Sequence, residues 1–238
     1  MTENSFYQPT ILLYGDSNTY GWHELEDGTI VRWPLEKTWG GRLAEALQGK
    51  ARVVIDGLSG RTSAFDRPPA RGNGTGSMKG ALLNGLTWLP AALSRVMPLD
   101  LLVIMLGTND FNYQLNKTAA EATEGIEGIR RLVEVTQEDI SWRELTFYHA
   151  PQILLVAPPH IELVGTPNER FFPNGDAPSA EFAEHLRALA EEKGVSFFDA
   201  ATVAPVAHDT DGVHLSLGDH EALAKGILPV IEELIENL

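Results

Sequence analysis

Five short, strongly apolar runs punctuate the chain, at Thr10–Tyr14, Arg52–Ile55, Leu101–Leu106, Ile153–Ala157 and Val195–Phe198. Runs of this length, without polar alternation, predict strands buried on both faces. Between them lie longer stretches whose apolar residues return at helical spacing: Trp39–Leu47, Ala81–Val96, Ala119–Val135, Ser179–Lys193 and Leu217–Leu238. Strands alternating with helices predict an α/β fold, a five-stranded parallel sheet covered on both faces in a three-layer α/β/α sandwich. Two segments fit neither period. Residues 62–79 are rich in Gly and Pro, and residues 158–178 hold five prolines. Both are expected to be long ordered loops of the kind that form lids, binding loops or contact surfaces. With no repeat, linker or low-complexity tract in view, residues 1–238 are expected to form a single domain.

In parallel sheets of this kind ligands bind beyond the carboxyl ends of the strands, so residues just after a predicted strand carry the most functional weight. Gly15-Asp16-Ser17 follows the first strand and would expose the Ser17 hydroxyl at that rim. Gly, Asp, Ser and Asn are also ordinary turn and N-cap residues, so this segment alone leaves a nucleophile and a plain turn both open. It is neither a dinucleotide fingerprint, a phosphate-binding loop, nor the G-x-S-x-G elbow. Asp211 and His214 lie three residues apart in a turn-rich segment before the last helix. There a carboxylate can fix an imidazole tautomer and leave the other ring nitrogen to take the Ser17 proton. Acyl transfer also needs donors for the developing oxyanion. Asn109 follows the third strand, Gly60 follows the second, and the Ser17 N–H is the third candidate. The other histidines, His23, His149, His160, His185, His208 and His220, are assigned surface or packing roles, His208 beside Asp209 being the weaker candidate for a base.

Charge and composition narrow the partners. Thirty-three acidic and eighteen basic residues give a net charge of −15, which disfavours nucleic acid and anionic membrane surfaces. The absence of cysteine removes disulfides, thiolate metal sites and a cysteine nucleophile. The N-terminal residues lack the pattern of a signal peptide, so a cytoplasmic location is expected.

Taken with their order, these blocks resemble the SGNH, or GDSL-type, serine hydrolases, named for a serine, a glycine, an asparagine and a histidine from separate blocks. The resemblance implies a flavodoxin-like sheet, Ser17 as nucleophile, Gly60 and Asn109 as oxyanion donors, His214 as base and Asp211 as its partner, with no metal or cofactor. Gly15-Asp16-Ser17-Asn18-Thr19-Tyr20-Gly21-Trp22, Gly57-Leu58-Ser59-Gly60-Arg61-Thr62-Ser63, Met105-Leu106-Gly107-Thr108-Asn109-Asp110 and Phe197-Phe198-Asp199-Ala200 look most like bacterial arylesterases. Some of that group act as acyltransferases or perhydrolases, and the group commonly forms compact oligomers. A homo-oligomer acting on a small ester is therefore expected, with a carbohydrate-ester deacetylase as the alternative. Asn18 stands where many members have leucine.

Trp22, Phe111, Phe171 and Phe172 are the expected substrate contacts, since aromatic walls suit small acyl or aryl groups. Asp16 and Asp199 are expected to be turn or cap residues. Two rivals stand beside the esterase: a metal-dependent phosphoesterase using Asp16, Asp110, Asp211 and His214 as ligands, and a non-catalytic binding domain on the same fold.

Overall fold

Each of the five apolar runs becomes a strand of one parallel sheet. The computed structural model describes residues 7–25, 27–68, 80–138, 151–163, 165–207, 209 and 211–238. In chain order its elements are β1 (Thr10–Gly15), α1 (Ser17–Tyr20), β2 (Trp22–Glu24), β3 (Ile30–Arg32), α2 (Trp39–Ala46), β4 (Arg52–Gly57), α3 (Gly85–Val96), β5 (Leu101–Met105), α4 (Ala119–Glu138), β6 (Gln152–Ala157), α5 (Asp176–Lys193), β7 (Ser196–Asp199) and α6 (Leu217–Glu236). The sheet order is β4-β1-β5-β6-β7, every pair parallel. That is the order of a flavodoxin-like doubly wound sheet.

Strand alternation builds the two outer layers. Leu12 and Tyr14 of β1 join the core formed with α3, α4 and α5, whereas Ile11 and Leu13 join the one formed with α2 and α6. All four are at most 1% exposed, which explains why β1 reads as an unbroken apolar run. Register then places the chemistry. Gly15 at the end of β1 is level with Gly57 of β4 and Met105 of β5, so the residues that follow all three strands emerge at one rim.

Three features differ from the sequence expectation. Ser17–Tyr20 is a one-turn helix, and β2 and β3 pair as an antiparallel hairpin outside the main sheet. Helix α5 begins at Asp176, shortening the expected 158–178 loop, because Pro178 falls in the first helical turn, where no N–H is needed. The expected 62–79 loop is described only through residue 68; the rest lies outside the described residues. Among the described residues no helix is long and apolar enough to cross a membrane.

Candidate active site

Ser17 opens α1 directly after β1, and Asp16 caps that helix by accepting the Asn18 N–H at 2.9 Å. The cap holds the serine hydroxyl at the rim. His214 Nε2 lies 2.9 Å from Ser17 Oγ, and His214 Nδ1 lies 2.5 Å from Asp211 Oδ2. With its proton on Nδ1 the imidazole donates to Asp211 and accepts from Ser17, the tautomer a general base requires. Burial works against the Asp211 carboxylate. The His214 ring and the N–H groups of Val213 and His214 together outweigh it and hold its pKa below the ordinary value.

The loop that carries Asp211 and His214 is secured on several sides. Asn18 accepts from Leu215 N–H at 3.0 Å and donates to the Val213 carbonyl at 3.2 Å, gripping the backbone on either side of His214. Gly212 at φ +71° lies against the Glu162 backbone, and the Glu162 N–H donates to its carbonyl at 2.9 Å. Immediately after the loop, Ser216 and Asp219 form a capping box that starts α6. Trp22 of the hairpin stacks on the His214 ring at 3.8 Å. Its neighbour His23 pairs with Asp209 at 2.7 Å and stacks on Trp33, tying the hairpin to the loop.

The donor side is built from the ends of β4 and β5. Gly60 adopts φ +81°, a left-handed conformation that glycine takes without strain. Buried Arg61 fastens this turn to the sheet, donating to the Gly15 and Asp56 carbonyls at 2.8 and 2.7 Å and pairing with the Asp56 carboxylate. Asn109 Nδ2 donates to the Arg61 carbonyl at 3.1 Å and makes a longer 3.4 Å contact to Asp16 Oδ2. Among the described residues neither the Ser17 nor the Gly60 N–H donates to another group. Behind them sit two buried acids. Burial pushes Asp16 up to about 6, against the Asn18 N–H and the His214 and Arg61 charges. Burial pushes Asp110 up to about 7, opposed by hydrogen bonding from Ser63 and reinforced by the Asp16 charge.

Ser17, Gly60, Asn109 and His214 open on one cleft of about 330 Å³ that Trp22, Phe171 and Phe172 also line. Phe111 does not line it. That side chain is 2% exposed and packs edge-to-face on Phe182 in the core, because the turn after β5 aims it inward; its expected substrate contact is corrected to a core role. Glu24, Ile30, Ser59, Arg67, Asn112 and Asn168 line the cleft without having been singled out in the sequence. For Glu24 and Ile30 a signal existed, the Asp27-Gly28 pair between two short β-prone runs, which marks a hairpin. For Asn168 and Arg67, delivered by irregular loops, none did.

Among the described residues no three His, Asp or Glu side chains converge as a metal-holding group. Asp16 caps α1, Asp110 accepts the Ser63 N–H, and Asp211 is engaged by His214, so the ligand set of the rival phosphoesterase reading is not assembled among the described residues. Of the other histidines, His220 is fully buried, accepts the Trp39 N–H and is pushed down to about 4 by burial. His208 lies outside the described residues; its neighbour Asp209 pairs with His23. Asp199 caps the turn after β7, as expected.

Residues 13–220 match the family model of the GDSL-like lipase/acylhydrolases. Among solved structures the chain is similar to Est24, a carbohydrate acetylesterase from Sinorhizobium meliloti, at 33% identity and a TM-score of 0.84, covering 95% of this chain and 100% of that one. It is similar to the M. smegmatis aryl esterase at 32% identity and a TM-score of 0.83, covering 95% and 99%. A carbohydrate acetylesterase family member from S. meliloti gives 34% identity and a TM-score of 0.79, covering 96% and 100%. A search of curated proteins finds no match.

Proposed function

Because the chain belongs to the GDSL-like lipase/acylhydrolase family and is a carboxylic ester hydrolase, we propose that it cleaves small short-chain acyl and aryl esters through an acyl-enzyme on Ser17. The observation that carries this reading is the continuous hydrogen-bond chain from Asp211 through His214 to Ser17, opening on the cleft beside Gly60 and Asn109. His214 Nε2 takes the Ser17 proton as Oγ bonds to the ester carbon. The Ser17 and Gly60 N–H groups and Asn109 Nδ2 receive the oxyanion, Asn109 giving up its long contact to Asp16. As the carbon–oxygen bond to the alcohol breaks, His214 returns the proton to the leaving oxygen. Water then attacks with the same base, and the acid leaves as Ser17 regains its proton. Stacked Trp22 and the Asp211 carboxylate stabilise the imidazolium in both steps. An alcohol or peroxide in place of water turns the second step into acyl transfer.

The Ser17→Ala protein is expected to keep its circular dichroism and melting temperature while losing turnover of p-nitrophenyl acetate and labelling by a fluorophosphonate probe. Retained turnover refutes the assignment. Glu24, Asn112 and Asn168 in the cleft favour a second reading, deacetylation of carbohydrate esters, because hydroxyl-rich substrates need such partners. Acetate release from an acetylated sugar outpacing release from p-nitrophenyl acetate would select it.

A further inference from the structure

Arg67 is a cation of the cleft that the catalytic steps leave unused. It is half-buried on the segment leaving the Gly60 turn and lines the same cleft as Ser17. Its Nη1 comes to 3.0 Å from where a Cβ on Gly60 would stand, so the guanidinium sits beside an oxyanion donor. Its Nε donates to the neutral Gln114 amide oxygen at 3.2 Å. Among the described residues it has no carboxylate partner. Other buried arginines do have carboxylate partners: Arg61 pairs with Asp56, and Arg130 holds Glu127 and Glu134. Burial correspondingly holds the Arg67 pKa below the ordinary value, with the Tyr113 hydroxyl the group acting against that shift. The guanidinium is charged all the same.

Ser59 adds a second unanswered donor. Its Oγ is buried without a hydrogen-bond partner among the described residues and lines the same cleft. Glu24, the carboxylate of the cleft wall, lies toward the hairpin turn, with Oε1 3.7 Å from where a Cβ on Gly28 would stand. A desolvated cation without a counter-charge is costly and is compensated when a bound anion completes the site. Guanidinium and carboxylate match in geometry as well as charge.

We infer that Arg67, with Ser59, binds a carboxylate carried by the ester substrate close to its scissile carbonyl, so that the enzyme prefers acidic esters to neutral ones of the same shape. The inference rests on the esterase reading of this cleft. It is tested by the ratio of kcat/KM for an acidic ester to that for its neutral isostere. Mono-p-nitrophenyl succinate against p-nitrophenyl isocaproate puts the charge on the acyl side. p-Acetoxybenzoate against p-acetoxybenzamide puts it on the alcohol side. In the wild-type protein at least one ratio is expected to exceed unity by about tenfold or more. Arg67→Gln should bring that ratio to unity or below, and Arg67→Lys should retain part of it. Wild-type ratios at or below unity overturn the inference. So does a ratio unchanged in Arg67→Gln, even if both rates fall, since that is the signature of a purely structural arginine. Absence of turnover of every ester by the folded wild-type protein overturns the esterase reading as well, whereas turnover without preference overturns the Arg67 assignment alone.

Discussion

At the scale of single residues, the proposed nucleophile and amide donor were readable because Ser17 and Asn109 are chemically distinctive side chains within a few residues of a strand end, whereas Asp211 and His214 were readable only from their own spacing in the loop before α6. Asn18 was read only as a departure from leucine. Its role appears when the chain folds, since its partners lie 195 and 197 positions away. Replacing it with leucine keeps a comparable side-chain size but strands the buried Val213 carbonyl and Leu215 N–H, each costing about 1–3 kcal/mol if left unpaired. The His214 imidazole then loses its lateral brace. A displacement of about 1 Å at a catalytic group costs up to about 10²-fold in rate, so Asn18→Leu is expected to lower kcat about tenfold to a hundredfold with little change in KM. Steady-state kinetics on p-nitrophenyl acetate decide it; an unchanged kcat removes Asn18 from a positioning role. Phe111 shows the opposite limit of sequence reading. Adjacency to Asn109 and Asp110 could not tell which way the turn would aim the ring, and the ring entered the core.

At the scale of elements, five strands and five helices were legible because an apolar run of four or more residues marks a buried strand and apolar residues at helical spacing mark a helix. The hairpin was not among them, because three-residue strands are too short to display alternation; only the Asp27-Gly28 turn signalled it, and with it the cleft residues Glu24 and Ile30. The 158–178 segment was read as a possible cover for the site. Its structure adds a second task, backing the loop that carries Asp211 and His214 through the Glu162–Gly212 contact. A Cβ on Gly212 would stand 1.9 Å from the Glu162 carbonyl oxygen, and φ +71° disfavours any L side chain there. Gly212→Ala must therefore push that loop away from its support. About 2 kcal/mol of strain is expected, some 4–8 °C in Tm for a chain of this size. The kcat should fall further than that stability loss explains, because Asp211 and His214 ride on the displaced segment. Melting temperature and kcat measured together test this, and a variant with wild-type kcat shows that the loop relaxes without moving Asp211 and His214.

For the molecule as a whole, the sheet order put the ends of β1, β4 and β5 level and so collected three distant blocks at one rim, where the loop before α6 adds the fourth; it also buried two acids behind them. Asp110 is fully buried with one oxygen lacking a partner among the described residues, and its carboxyl is raised to about 7 from an unfolded value of 3.8. A native group with a raised pKa keeps its proton where the unfolded chain has lost it. Its stabilising contribution is therefore full below the unfolded pKa and is lost as pH rises through the folded one. Asp16, raised to about 6, acts in the same direction, and the growing negative charge of an acidic chain adds to it. Asp211, whose pKa is depressed, acts oppositely, its stabilisation being lost only in acid below the ordinary carboxylate range. Stability should consequently decline between pH 5 and pH 8. The isosteric Asp110→Asn protein keeps an acceptor for the Ser63 N–H but has no proton to lose. It should shrink the difference in unfolding free energy between those two pH values by about 2–3 kcal/mol relative to wild type. Urea denaturation at both pH values measures the difference. An equal decline in variant and wild type would mean that Asp110 is already ionised in the native protein at the lower pH, and that the decline belongs to the charge of the chain as a whole.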